Sequence, residues 1–280
     1  MKKEIGEGIF KLVLRCLFLA FGTLHLAAWC AASAGTTTFH DNSEAIIGRV
    51  STDEKVVALT FDDGPGTKYT PRILDLLSQY QAKATFFVVG WRVENYPDLI
   101  LREDSDGHEL GNHTFTHFNY RKMSTEQLIE EINKTQEAIF RVTGKRPIFF
   151  RPPGGYLSTS VKAAAMKEHL RIVNWSWDQE TRDWSKPGVQ NIVNKVLKNV
   201  HPGDIILFHD QSRGTFQTVQ ALKEILPGLM EKGYRCVTVS ELLTYEKNRQ
   251  NRSDMKWGTI DGERTMNYLV VVRLLFRSNL

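Results

Sequence analysis

"KVVALTFDDGPG", residues 55–66, carries an apolar stretch straight into two adjacent aspartates and a glycine turn. Such a run of Val, Leu and Phe, bounded by turn residues, reads as a strand buried on both faces. Strands of that kind belong to parallel sheets covered by helices. A DDG sequence on its own can simply end a strand and cap the turn, yet neighbouring like charges repel. What stands at the other strand ends decides between a turn and a site.

Six further runs follow: "ATFFVV" (84–89), "HELGN" (108–112), "IFF" (148–150), "RIVNWSW" (171–177), "IILFH" (205–209) and "RCVTV" (235–239). Amphipathic stretches separate them. Pro71 opens "PRILDLLSQY" at a first-turn position. Ser124 with Gln127 makes a capping-box start to a helix that carries Leu128, Ile132 and Ile139 on one face and stops at Gly144. "GVQNIVNKVLKNV" (188–200) ends before Pro202 and Gly203, and "VQALKEILPGLMEKG" (219–233) is expected to kink or break at Pro227. This alternation over residues 51–245 predicts an α/β domain, doubly wound or a barrel, and periodicity alone does not choose.

The two ends differ from this body. Lys2 and Lys3 precede the apolar "LVLRCLFLAFGTLHLAAWC" (12–30), and Ala32, Ser33 and Ala34 supply the small residues of a signal-peptidase site before Gly35. Residues 1–34 therefore read first as a cleaved export signal. Retained uncut, the segment has about the length of a membrane-spanning helix, with Arg15 shortening its apolar part. A lipidated Cys30 is the third reading, opposed by the bulk of Trp29. Residues 35–50 read as a linker and 246–280 as an appendage of no assigned role. Cys236 alone remains in the mature chain, so no internal disulfide can form, and it reads as a small buried hydrophobe.

The formal net charge of +4 collects at the ends, and residues 35–245 hold 25 basic and 26 acidic side chains. That balance argues against a polyanion partner and excludes nucleic acid from the reading. Gly64 and Gly66 lack the lysine and hydroxyl that a phosphate-binding loop needs.

Parallel α/β barrels gather their chemistry at the carboxyl ends of strands. There this chain places Asp62 and Asp63, then "NHTFTH" with His113 and His117, and then "RPPGG" with Arg151 and Gly154. "WDQETRDW" follows with Asp183 and Trp184, and "LFH" with Leu207 and His209. Histidines four apart can present both imidazoles on one face of a helical turn, and one carboxylate completes a three-ligand site with an open position. H-x-x-x-H alone is a weak signal. Three of the eight histidines nevertheless fall within ten residues, and of these His108, at a strand start beside Glu109, reads as structural. Two adjacent acids make sense if one ligates a divalent cation while the other stays free as a base, because such a cation brings the pKa of water near neutrality. Arg151 is the candidate to offset their repulsion. Each cluster has a plain explanation by itself: a rigid turn at Pro152 and Pro153, a core Trp184, a satisfied His209 at the sheet rim. All five together would be a coincidence at one end of one sheet.

In this order, "TFDDGPG", "HELGNHTFTH", "RPPGGY", "RDW" and "LFHD" resemble the motifs of the polysaccharide deacetylases, carbohydrate esterase family 4, over roughly residues 51–245. The resemblance implies a distorted, incomplete (β/α) barrel of about seven parallel strands, and metal-dependent removal of acetyl groups from N-acetylated sugars. It implies Asp62 as catalytic base, Asp63, His113 and His117 as metal ligands, and Arg151 as the holder of the base. It further implies Gly154 as an oxyanion-stabilising N–H, Asp183 as partner of the general acid His209, and Trp184 and Leu207 as apolar walls around the acetyl methyl group. The fourth motif departs from the family, since Asp178 and Asp183 stand further apart than its paired acids. The assignment is anchored on Asp183 and Trp184, and Asp178 is left without a role.

The expected protein is an exported, monomeric deacetylase of peptidoglycan or chitin-type glycan, extracellular or associated with the cell wall. An uncut amino-terminal segment would add membrane association. One divalent ion is expected, zinc first, with cobalt, nickel and manganese also compatible with one carboxylate and two imidazoles. Two rivals keep the fold: an O-acetyl esterase or other amidase on the same metal, and a catalytically silent glycan-binding wall module. The presence of both Asp62 and His209 argues against the second.

Overall fold

The computed structural model describes residues 46–118 and 120–247, with the strands Trp257–Ile260 and Glu263–Met266, which pair antiparallel. The expected export segment, the start of the expected linker and most of the tail lie outside the described residues. Among the described residues no helix is long and apolar enough to cross a membrane.

Seven strands are mutually parallel: β1 (Val56–Asp62), β2 (Ala84–Val88), β3 (Glu109–Asn112), β4 (Phe149–Phe150), β5 (Arg171–Ile172), β6 (Ile205–His209) and β7 (Arg235–Cys236). Six follow the order β5-β4-β3-β2-β1-β6, and β7 pairs with the start of β1 at Val56 and Val57. The sheet curls into a half-barrel whose open edges, β5 and β6, are joined by single bridges: Ile47 to Val173, Arg49 to Asp204, and Glu180 to Leu207. Residues 46–50, expected as the end of a linker, therefore close the seam of the domain.

Each apolar run supplies one strand, some shorter than expected. The Val173 N–H still donates to the Phe150 carbonyl of β4, and the chain then leaves that ladder, the Asn174 N–H donating to the Ile47 carbonyl. After β7, Thr238 caps a new helix by accepting from the Glu241 N–H.

Among the described residues eight helices flank these strands: α1 (Thr70–Gln79), α2 (Gly90–Asn95), α3 (Pro97–Ser105), α4 (Thr125–Thr143), α5 (Thr159–Lys167), α6 (Val189–Asn199), α7 (Thr215–Glu231) and α8 (Val239–Thr244). α4 starts at the capping box of Ser124 and Gln127 and stops at Gly144 in the left-handed conformation, φ 71°, as its sequence predicts. α7 departs from expectation: it runs unbroken through Pro227. The proline removes one N–H donor, and buried Ile225, Leu226 and Leu229 anchor the helix on both sides of it.

Strand alternation sorts the core. Val57, Leu59 and Phe61 pack outward under the helices, where the Phe61 ring lies 5.0 Å from that of Phe86 and 5.6 Å from that of Phe208. Val56 and Ala58 pack inward with Phe87, Phe149 and Ile205. Continuing in steps of two, the same inner face receives Thr60 and Asp62 from β1, Arg151 beyond β4, and Leu207 and His209 from β6.

Candidate active site

Asp62 ends β1, His209 ends β6, and the two are register partners. Arg151 is fully buried behind Asp62. Its Nη1 donates to Asp62 Oδ1 at 2.7 Å and to Thr60 Oγ1 at 2.8 Å. Its Nε and Nη2 donate to the carbonyls of Val173 and Asn174 at 3.0 and 2.9 Å, and the guanidinium lies 4.0 Å from the Phe87 ring centroid. A buried cation satisfied in this way fixes one oxygen of the Asp62 carboxylate and leaves the other available.

Asp63 steps out of the strand with a left-handed backbone, φ 76°. Its Oδ1 lies 3.1 Å from His117 Nε2 and 3.5 Å from His113 Nε2. One donor atom from each of the three falls within 4.8 Å of the others. His113 Nδ1–H donates to the Arg151 carbonyl at 2.6 Å, which fixes the tautomer and turns the Nε2 lone pair toward Asp63. Burial opposes ionisation of Asp63, but the facing His113 and His117 rings outweigh it and hold its carboxyl well below the usual range. One anionic oxygen and two convergent imidazole nitrogens fit a divalent cation.

The two histidines do not share the expected helical turn. Loop 113–117 is irregular, with Thr114 (φ 65°) and His117 (φ 59°) in the left-handed region. Non-glycine residues there cost of order 1–3 kcal/mol each, so neighbouring bonds must hold the loop. Asn112 Oδ1 accepts from the Thr114 N–H at 3.0 Å, and Thr114 Oγ1 accepts from the His117 N–H at 3.2 Å. From α4, Glu131 Oε2 accepts the N–H groups of Phe115 and Thr116 at 3.0 and 2.7 Å, and the Thr116 hydroxyl at 2.9 Å. Sequence reasoning missed Glu131, and nothing local to α4 marks it.

His209 Nδ1–H donates to Asp183 Oδ1 at 2.7 Å. Asp183, fully buried in the 3-10 turn Asp183–Ser185, also accepts the N–H groups of His209 and Trp184 at 2.9 Å each and the Thr218 hydroxyl at 2.6 Å. Burial pulls the His209 pKa down, but Asp183, aided by Asp63 and Asp62, outweighs it and raises the value to about 9. Asp178 is elsewhere, 2.7 Å from Arg49 and 3.8 Å from His201.

Gly154 is exposed in the turn Pro153–Gly155, with φ 60°. Leu207 is buried two residues before His209, and Trp184 is half exposed beside Asp183. His108 is structural: its Nδ1 accepts from the Ala84 N–H at 3.2 Å and its ring meets Phe86 edge-on. Burial pushes the Cys236 thiol up to about 12, which leaves it unreactive.

A curled parallel half-barrel with an arginine-held carboxylate, a carboxylate-held histidine and a convergent Asp-His-His group at the carboxyl ends of its strands has the make-up of a hydrolase. The chain belongs to the polysaccharide deacetylase family, carbohydrate esterase family 4, whose model matches residues 49–173. It is 48% identical over 197 residues to a peptidoglycan-N-acetylglucosamine deacetylase of Bacillus cereus, covering 70% of this chain and 92% of that one. Among solved structures, a peptidoglycan N-acetylglucosamine deacetylase bound to an N-oxidanyl-benzamide superposes with a TM-score of 0.67 at 37% identity, covering 72% of this chain and 95% of that one. A family 4 acetyl xylan esterase from Clostridium thermocellum, in complex with a cobalt ion, superposes at 0.62 with 37% identity, covering 68% and 91%.

Proposed function

We propose that this protein is an exported, metal-dependent N-deacetylase of cell-wall glycan, acting on the N-acetylglucosamine of peptidoglycan. One observation carries the reading: a carboxylate held by arginine and a histidine held by carboxylate end adjacent strands beside a convergent Asp63, His113 and His117 triad. The high identity to a peptidoglycan deacetylase over most of that relative supports the substrate. The apolar segment 12–30 and the small residues that follow support export.

Asp63, His113 and His117 would hold one divalent ion, zinc first, which when bound polarises a water and the acetamide carbonyl. Asp62 Oδ2, free of the arginine that engages Oδ1, takes the proton of the attacking water. The Gly154 N–H faces the oxygen on which negative charge develops. Trp184 and Leu207 flank the acetyl methyl group. His209, protonated at neutral pH and oriented through Nδ1, delivers its Nε2 proton to the departing nitrogen. The products are acetate and a free amine.

A second reading, hydrolysis of an O-acetyl ester, draws support from the likeness to the acetyl xylan esterase. Acetate release by metal-reconstituted protein from peptidoglycan, chitin oligomers and acetylated xylan separates the two. Release from xylan alone would overturn the proposal.

A further inference from the structure

Beneath the active-site turn lies a second pair of acids that the reaction above does not use. Asp210, which follows His209, and Glu103 on α3 are both fully buried. Asp210 Oδ2 accepts from the Thr70 hydroxyl at 2.5 Å, and Thr70 Oγ1 accepts from the Gly66 N–H at 2.8 Å. The Asp210 N–H donates to the Asp62 carbonyl at 3.2 Å. Gly64 passes so close that a Cβ there would lie 2.0 Å from Asp210 Oδ2. The Asp210 carboxyl thus forms the underside of turn 62–66, which carries both the base and the first metal ligand. Glu103 arrives from α3, where its neighbour Arg102 donates to the Pro71 carbonyl at 3.5 Å and to Asp75 at 2.6 Å. Those bonds seat α3 against the start of α1, beside Thr70.

Hydrogen-bond accounting here does not close without an added proton. Glu103 Oε1, Glu103 Oε2 and Asp210 Oδ1 are buried with no hydrogen-bond partner. An ionised Glu103 would be an unpaired buried charge, a penalty of several kcal/mol. A protonated Glu103 instead carries an O–H that needs an acceptor. Burial, together with the facing Asp210 charge, pushes Glu103 well above the usual carboxylate range, and burial raises Asp210 to about 7.

We infer that Glu103 is a protonated acid whose hydroxyl donates to Asp210 Oδ1, and that Asp210, so held, is a positioning residue for turn 62–66. The pair shares one proton, and Asp210 Oδ2 remains the acceptor for Thr70. The protonation claim is independent of the deacetylase reading; the positioning claim rests on it.

Infrared spectra of the metal-loaded protein at neutral pH should contain the C=O stretch of a protonated carboxylic acid, and Glu103→Gln should lack it. Glutamine keeps a donor toward Asp210 and alanine does not. Glu103→Ala should therefore lose about tenfold or more in kcat with little change in KM, and Glu103→Gln should recover most of it. A wild-type spectrum without the band, or a band that persists in Glu103→Gln, overturns the shared proton. Equal kcat in the two variants overturns the positioning role. Should Glu103→Ala fail to fold, Thr70→Val, which removes the hydroxyl between Asp210 and Gly66, decides that role by the same split. Absence of acetate release from every glycan would sink the deacetylase reading and leave the infrared result standing.

Discussion

Asp62 and His209 sit opposite each other in register on β1 and β6, and each is held from behind by a group of opposite charge, Arg151 at 2.7 Å and Asp183 at 2.7 Å. The arginine pins one oxygen of the Asp62 carboxylate, and Asp183 favours the protonated His209 imidazole. A carboxylate backed by a guanidinium and an imidazole backed by a carboxylate are thereby built into one pair of hydrogen-bonded strands.

Replacing the two neighbouring acids should have different effects. Asp62→Asn should retain metal and lose about 10²–10⁴-fold in rate, the usual reach of a general base. Asp63→Asn should lose metal affinity first and regain part of its rate in excess metal. Metal analysis beside turnover checks both. An emptied site in Asp62→Asn and a full one in Asp63→Asn would reverse the roles.

The pH profile should fall on its alkaline side near the His209 pKa of about 9. Because that value is raised from 6.5, the paired imidazolium stabilises the fold fully below about pH 6.5, and this contribution is lost as pH rises through about 9. Asp183→Asn should move the alkaline limb of kcat down toward neutrality. An unmoved limb would assign that limb to another group.

Glu131→Ala removes the acceptor that holds the N–H groups of Phe115 and Thr116. Loss of such support around metal ligands typically weakens metal binding by about 10–100-fold. Titration with zinc should show the loss while Glu130→Ala, on the exposed face of α4, binds as wild type.

Arg151→Met leaves Asp62 buried without its cation. Breaking a buried pair costs about 3–5 kcal/mol, and urea unfolding should register it as a lower midpoint. Asp62→Asn combined with Arg151→Met should recover part of that loss, since neither charge is then left alone.

The strands themselves, and Asp62 and His209 at the ends of two of them, were legible because each closes an apolar run, where the period of two fixes which face it takes. Thr60 follows from the same period and could have been found. The conformation of loop 113–117 could not: a spacing of four suits a helical turn, but the bonds that choose the irregular loop come from Asn112 and from Glu131 on a distant helix. Pro227 predicted a break that packing on both sides overrides. The run 171–177 promised a long strand, yet past Val173 its N–H groups turn to the carbonyls of Ile47 and Ile205, which no local pattern reveals.

The seam that closes the half-barrel carries a consequence for assembly. Ile47 bridges to Val173, and Arg49 Nε bonds Asp204 Oδ1 at 2.6 Å, across 155 residues of sequence. A chain that emerges amino end first from a ribosome or a translocation pore holds its clasp early and its catch late. Contacts of such long range form slowly, because loop closure must precede them. Until residue 204 is free, β5 has no neighbour on its outer edge beyond the 46–50 segment and β6 does not exist to meet β1. Asp62 on β1 therefore waits for its register partner His209 until most of the chain has arrived, so under the proposed mechanism hydrolytic competence is reached only once the domain is whole.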